Sequence, residues 1–179
     1  AGMTVAKAYP DLRCRVTDAS QSPPVVGCST DDFAVRPTRF TLTSSASASA
    51  DAAGASASAA PAIKAGANFT LVAASGAAGY NAAPKLDSSK VAAHGGAMQT
   101  GALAGGFANA DPATGTATGA AFTYSEAGYF NLAANAVYDD TFTAVDSAAG
   151  DCASGFADGG GKYACNFGNA AATPYFGRF

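Results

Sequence analysis

The chain has no tryptophan, a single histidine, a single glutamate and a single isoleucine. These absences limit both the core and the chemistry. Without tryptophan and with few large aliphatic residues, the core must be built from eleven Phe, seven Tyr and a scatter of Val. Alanine makes up about a quarter of the residues and inflates the hydrophobic fraction of 49%, but each Ala buries little area. Charge is also scarce: 13% of residues are charged and the net charge is −3. That excludes the basic footprint of a nucleic-acid binder and a polybasic membrane patch. No run reaches the roughly 18–20 uninterrupted apolar residues of a membrane-spanning helix, so membrane insertion is not expected. The start, Ala1-Gly2-Met3-Thr4, has no basic region leading into an apolar one, so it does not read as a signal peptide. The end, Phe176-Gly177-Arg178-Phe179, stops while still strand-like. The start fits either a signal peptide already removed or a piece of a longer chain, and the strand-like end favours the piece. Low charge with abundant Ala, Gly, Ser and Thr suits a secreted or cell-surface protein.

Four cysteines are present, as two close pairs, Cys14/Cys28 and Cys152/Cys165. Four cysteines allow three connectivities. Local pairing is the simplest, because each pair closes a short loop rich in turn residues, worth about 3 kcal/mol per loop if unstrained. Disulfides imply an oxidising compartment. Free buried thiols and zinc are the rival readings, but the C-x₂₋₄-C spacing of a zinc site is absent and the one histidine adds little.

Aromatic and β-branched residues outside long helical runs favour strands. Residues 1–30 read as an N-terminal flank in which Leu12-Arg13-Cys14-Arg15-Val16-Thr17 alternates, before Gln21-Ser22-Pro23-Pro24 breaks the pattern. Residues 33–44 give two alternating stretches of opposite phase on either side of Pro37, as an edge strand or a strand changing sheets would. Residues 44–61 are low in complexity and read as a loop, with a silk-like strand or a helix as alternatives. Residues 67–73 form a second strand. Pro84-Lys85-Leu86 is a weak third, and residues 93–118 are anchored only by Met98, Leu103 and Phe107. Residues 121–125 and 129–138 carry the clearest strand signal, joined by the turn Glu126-Ala127-Gly128. Residues 174–179 are the last expected strand. About seven short strands predict an all-β, immunoglobulin-like antiparallel sandwich over residues 31–179, with long Ala/Gly/Ser-rich loops.

Four motifs occur in order: Cys28-Ser29-Thr30-Asp31-Asp32-Phe33-Ala34-Val35-Arg36-Pro37, then Lys64-Ala65-Gly66-Ala67-Asn68-Phe69-Thr70-Leu71, then Tyr124-Ser125-Glu126-Ala127-Gly128, and finally Gly177-Arg178-Phe179. Over residues 28–179 the chain resembles the family of large proteobacterial surface proteins typified by the Q protein of the mannose-sensitive haemagglutinin (MSHA) type IV pilus system. The resemblance implies secretion, the surface of a Gram-negative bacterium, and a link to pili or adhesion. It supplies no catalytic residue.

No catalytic constellation is expected. His94 sits in a loop-like Ala-Ala-His-Gly-Gly context, and a nucleophile elbow of the Gly-x-Ser-x-Gly type is missing. Glu126 is explained by its turn. Gly159-Gly160-Gly161-Lys162 lacks the spacing of a phosphate loop. No cofactor is expected; calcium is the one candidate, through Asp139, Asp140, Asp146, Asp151 and Asp158, with a smaller chance for Asp31 and Asp32, although the spacing fits no calcium loop. Arg36 and Arg39 are expected to pair with Asp31 or Asp32, or to stand as solvated edge-strand charges. The leading functional expectation is a non-enzymatic structural or adhesion module, its partners being neighbouring domains, identical subunits or pilus components. The alternatives are a filament subunit joined by strand exchange and a carbohydrate-binding module using Tyr80, Tyr124, Tyr129 and Tyr163 as stacking platforms.

Overall fold

A computed structural model describes residues 4–44, 63–93, 98–170, 176 and 179. The Ala/Ser-rich segment at 45–62, His94 and most of the expected strand at 174–179 lie outside the described residues. The strands are β1 (Tyr9–Leu12), β2 (Arg15–Asp18), β3 (Val25–Cys28), β4 (Phe33–Val35), β5 (Thr41–Ser44), β6 (Phe69–Ala74), β7 (Lys85–Leu86), β8 (Val91–Ala93), β9 (Leu103–Ala104), β10 (Thr116–Tyr124), β11 (Phe130–Leu132), β12 (Val137–Asp139) and β13 (Phe167–Gly168). One helix, α1, spans Ala144–Ala149. The fold is all-β and sandwich-like, as the sequence predicts, with every strand pair antiparallel.

The largest sheet has the order β5-β6-β10-β9. In β6 the alternation of Phe69, Leu71 and Ala73 with Thr70, Val72 and Ala74 puts the first three inward, all buried, as a period of two requires. In β10, Ala117 and Gly119 face inward, and then Phe122 and Tyr124. The phase changes because β10 carries one extra residue against β6: Gly119 pairs with Leu71, but Phe122 pairs with Phe69. This is a β-bulge. Gly119 makes it possible, since a Cβ there would lie 2.3 Å from the Phe122 ring and 2.4 Å from the Gly106 carbonyl oxygen.

Two smaller sheets, β11-β8 and β13-β12-β7, supply the facing layer. The core between the layers is aromatic and falls into two neighbourhoods. In the first, Phe130 packs against Phe69, Tyr124, Phe176 and Phe179 with ring centroids 4.7–6.0 Å apart. In the second, Tyr80 is surrounded by Phe40, Phe142 and Phe167 at 5.6–5.7 Å. These separations fall within the preferred range for aromatic pairs. Aromatic rings therefore replace the missing aliphatic residues.

The strand expected over 129–138 is broken. β11 ends at Leu132, the chain turns through Asn135 at φ 58°, and β12 begins at Val137. Asn tolerates this left-handed conformation better than most residues. Asn169, 1% exposed, fixes the turn: its side chain accepts from the Val137 amide and donates to the Ala133 and Ala170 carbonyls at 2.8–2.9 Å. The helix α1 was not expected; it ends at Gly150, which adopts a left-handed conformation and returns its N–H to the Asp146 and Ser147 carbonyls.

The N-terminal residues are not all peripheral. β1 pairs with β4, Ala8 is buried in the core, and the Ala8 amide donates to the Ala78 carbonyl at 2.8 Å. The β2–β3 hairpin is different: all eight of its strand residues are exposed, including Val16, Val25 and Val26.

Candidate functional site

The Cys152–Cys165 pair is a disulfide, with Cα atoms 5.0 Å apart. Cys14 and Cys28 are free thiols, which corrects the expected second disulfide. The cause is the hairpin register. Cys28 stands opposite Arg15, and Cys14 meets Ser29, whose amide donates to the Cys14 carbonyl at 2.8 Å. The two thiols are thus one step out of register, and successive side chains on a strand point to opposite faces.

The disulfide closes a loop, residues 152–165, that is also held by its own backbone. Ala153 donates to Tyr163 and Cys165 to Ala153, both at 2.7 Å. Gly159 and Lys162 exchange two bonds at 3.0 Å across a tight turn. The Asp158 carboxylate accepts from the Ala164 amide at 2.8 Å, and the Thr143 hydroxyl donates to the Cys165 carbonyl. The result is a short, cross-braced platform on which Tyr163 stands 79% exposed.

Against this platform lies the connection between β4 and β5, Arg36-Pro37-Thr38-Arg39. Pro37 is buried. The Arg36 guanidinium reaches across the loop, donating from Nε to the Ala164 carbonyl at 2.8 Å and from Nη1 to the Pro37 carbonyl at 2.9 Å. It lies 6.0 Å from the centre of the Phe167 ring. Burial lowers its pKa and the nearby Asp158 charge opposes that effect. Neither Arg36 nor Arg39 pairs with Asp31 or Asp32: Arg39 is exposed, as in the alternative of a solvated edge-strand charge, and Asp32 pairs with Arg13 at 3.0 Å. The Asp32 carboxyl is accordingly held below its usual range, chiefly by the hydrogen bond from Arg13.

Between the platform and the connection is a cleft of about 390 Å³, lined among others by Arg36, Arg39, Asn135, Asp158, Tyr163 and Asn166. A second hollow of about 370 Å³ shares Arg36, Thr38, Tyr163 and Ala164 with it. Sequence reasoning missed this site as a site. It singled out the arginines and Tyr163 separately, and no periodicity links residues 36–39 to 152–165.

The other expected residues lie elsewhere. Tyr80, Tyr124 and Tyr129 are buried, so they form core rather than stacking platforms. Glu126 accepts from Gln99 at 2.7 Å on the surface. The C-terminal aspartates do not converge. Asp139, 3% exposed, accepts from the Tyr80 hydroxyl at 2.8 Å and from the Thr141 and Phe142 amides at 2.9 Å. Asp140 pairs with Lys85 at 2.6 Å, and Asp146 accepts from the Ala34 amide at 2.9 Å. Among the described residues, no group of three or more His, Cys, Asp or Glu is arranged to hold a metal. Nor is any described helix long and apolar enough to cross a membrane.

No family model, curated protein or solved structure matches the chain.

Proposed function

We propose that this chain is a non-enzymatic, extracellular module of adhesion type, with an immunoglobulin-like sandwich as its scaffold, carried by a longer bacterial surface protein. The observation that carries the reading is the cleft at the disulfide loop. An aromatic-packed β scaffold holds a braced loop against a second fixed segment and leaves an open hollow between them, lined by polar and apolar side chains alike. Such sites serve recognition: rigid scaffold below, adaptable surface above. The Cys152–Cys165 bond supports an oxidising location. The resemblance of the four ordered motifs to the MSHA Q-protein family is the ground for reading it as a pilus-associated surface protein.

The second reading, a filament subunit, draws on a different observation. The β2–β3 hairpin exposes Val16, Val25 and Val26, and an exposed apolar ribbon is a surface on which another chain can pair.

Size-exclusion chromatography with light scattering, beside negative-stain microscopy, separates the two. An adhesion module is expected to run as a monomer at every accessible concentration. Long regular fibres would overturn that reading in favour of the filament.

A further inference from the structure

We propose that the cleft between residues 36–39 and the disulfide loop binds an acidic saccharide, with Tyr163 as the platform for a sugar ring and Arg39 as the partner of its carboxylate. This rests on the adhesion reading above and names the ligand class it leaves open.

Three features of the cleft converge on that class. The first is charge. Two arginines and one aspartate among the lining residues give the cleft a net +1, in a chain of net −3. Arg36 is committed to two carbonyls and acts as a fixed positive charge. Arg39 is exposed and has no hydrogen-bond or ion-pair partner among the described residues. It is therefore the group whose planar fork an incoming carboxylate meets, and that fork matches a carboxylate in a bidentate pair.

The second feature is the platform. Tyr163 is 79% exposed, yet its neighbours on both sides are fixed: Lys162 by its paired bonds with Gly159, Ala164 by Asp158. An exposed aromatic ring on a rigid backbone offers apolar contact with one polar tip, at little ordering cost. The C–H face of a pyranose ring is complementary to such a surface.

The third feature is the supply of planar hydrogen-bonding groups. Asn135, Asn166 and Asp158 line the same cleft. Amides both donate and accept, and a carboxylate accepts from hydroxyls. A hydroxyl-rich ring uses all three. Inorganic phosphate has no ring to lay on Tyr163 and few donors for Asp158, and would leave both unused. The volume of about 390 Å³ lies in the range of small-ligand sites, ~300–1,000 Å³. Because the adjoining hollow shares Arg36 and Tyr163, an oligomer can continue from one into the other.

The test is calorimetric titration of the full chain with short oligogalacturonates and with the same oligomers methyl-esterified, which keep the ring and lose the charge. The expected result is binding of the acid form at least tenfold tighter than the ester, weakening as salt is raised. Arg39→Gln should bring the acid form down to the level of the ester, and Tyr163→Ala should abolish both; both positions are exposed, and circular dichroism checks the fold of each variant. Equal binding of acid and ester overturns the anionic assignment while leaving an adhesion module with a neutral ligand. Displacement by equimolar inorganic phosphate overturns it in favour of a simple anion site. Binding of neither form by a sample that runs as a monomer overturns the saccharide proposal alone, whereas fibres in that sample mark the failure of the adhesion reading itself.

Discussion

Tyr80 shows how a single residue ties the two layers of this molecule together. Its ring fills the space between Phe40, Phe142 and Phe167, and its hydroxyl is spent on the buried Asp139 carboxylate at 2.8 Å. Tyr80→Phe keeps the ring and leaves one carboxylate oxygen short of a donor in a buried setting. The expected loss is about 1–3 kcal/mol of unfolding free energy by denaturant titration. The same pair sets an alkaline limit. Burial, then the hydrogen bond to Asp139 and its charge, raise the Tyr80 pKa well above the usual 10, so the folded state favours the protonated phenol. That contribution is complete below about pH 10, where the phenol is also protonated in the unfolded chain, and is lost as the pH climbs further. Thermal midpoints measured between pH 8 and 11 should fall more steeply in the native chain than in Tyr80→Phe. Gly119 is the second informative residue. Gly119→Ala forces a methyl into the Phe122 ring and the Gly106 carbonyl, an overpacking expected to cost about 1–3 kcal/mol. A denaturant midpoint unchanged from the native chain would show that the bulge can relax around it.

At the scale of elements, the two cysteine pairs separate. Denatured, unreduced protein should give two reactive thiols per chain, from Cys14 and Cys28, and their joint replacement by Ser should leave the thermal midpoint within a degree or two. Replacing Cys152 and Cys165 by Ser should cost about 3 kcal/mol, the value expected for a closed loop of this length. Four protected sulfurs in a thiol assay would contradict the hairpin register. Both pairs looked alike in the sequence, since each closes a short loop. What distinguishes them is strand parity, and that follows from which residue of β2 faces which residue of β3. Other elements were legible to different degrees. Phe69, Leu71 and Ala73 announced β6 by alternation alone. The β10 bulge was hidden because Gly119-Ala120-Ala121 carries no large side chain to mark the phase change. The break between β11 and β12 was hidden because Ala133-Ala134-Asn135-Ala136 carries no large side chain to mark the turn, and a continuous strand satisfies it equally well. The cleft was hidden for a further reason: its walls come from loops more than a hundred residues apart, and only the fold brings them together.

Over the whole molecule, the two aromatic neighbourhoods draw on residues from nearly the full length of the chain. Phe130 pairs through its backbone with Phe176, and Gly128 exchanges two bonds with Phe179 at 2.9–3.0 Å. The Phe179 ring lies 5.1 Å from Phe69 and 5.3 Å from Tyr124. Removing residues 176–179 is therefore expected to uncover Phe69, Tyr124 and Phe130 together, giving a chain that binds a hydrophobic dye and has lost its cooperative thermal transition. A sharp transition in the truncated chain would show that the remaining aromatics suffice. The consequence of that closing contact is temporal. Synthesis runs towards the C-terminus, so the first aromatic neighbourhood stays open on one side until Phe176 and Phe179 have been made. Contacts across more than a hundred residues also form slowly. A nascent chain that has passed Phe130 but not yet reached Phe179 therefore holds an unfinished, pliable aromatic cluster, and its closure falls to this late-made segment.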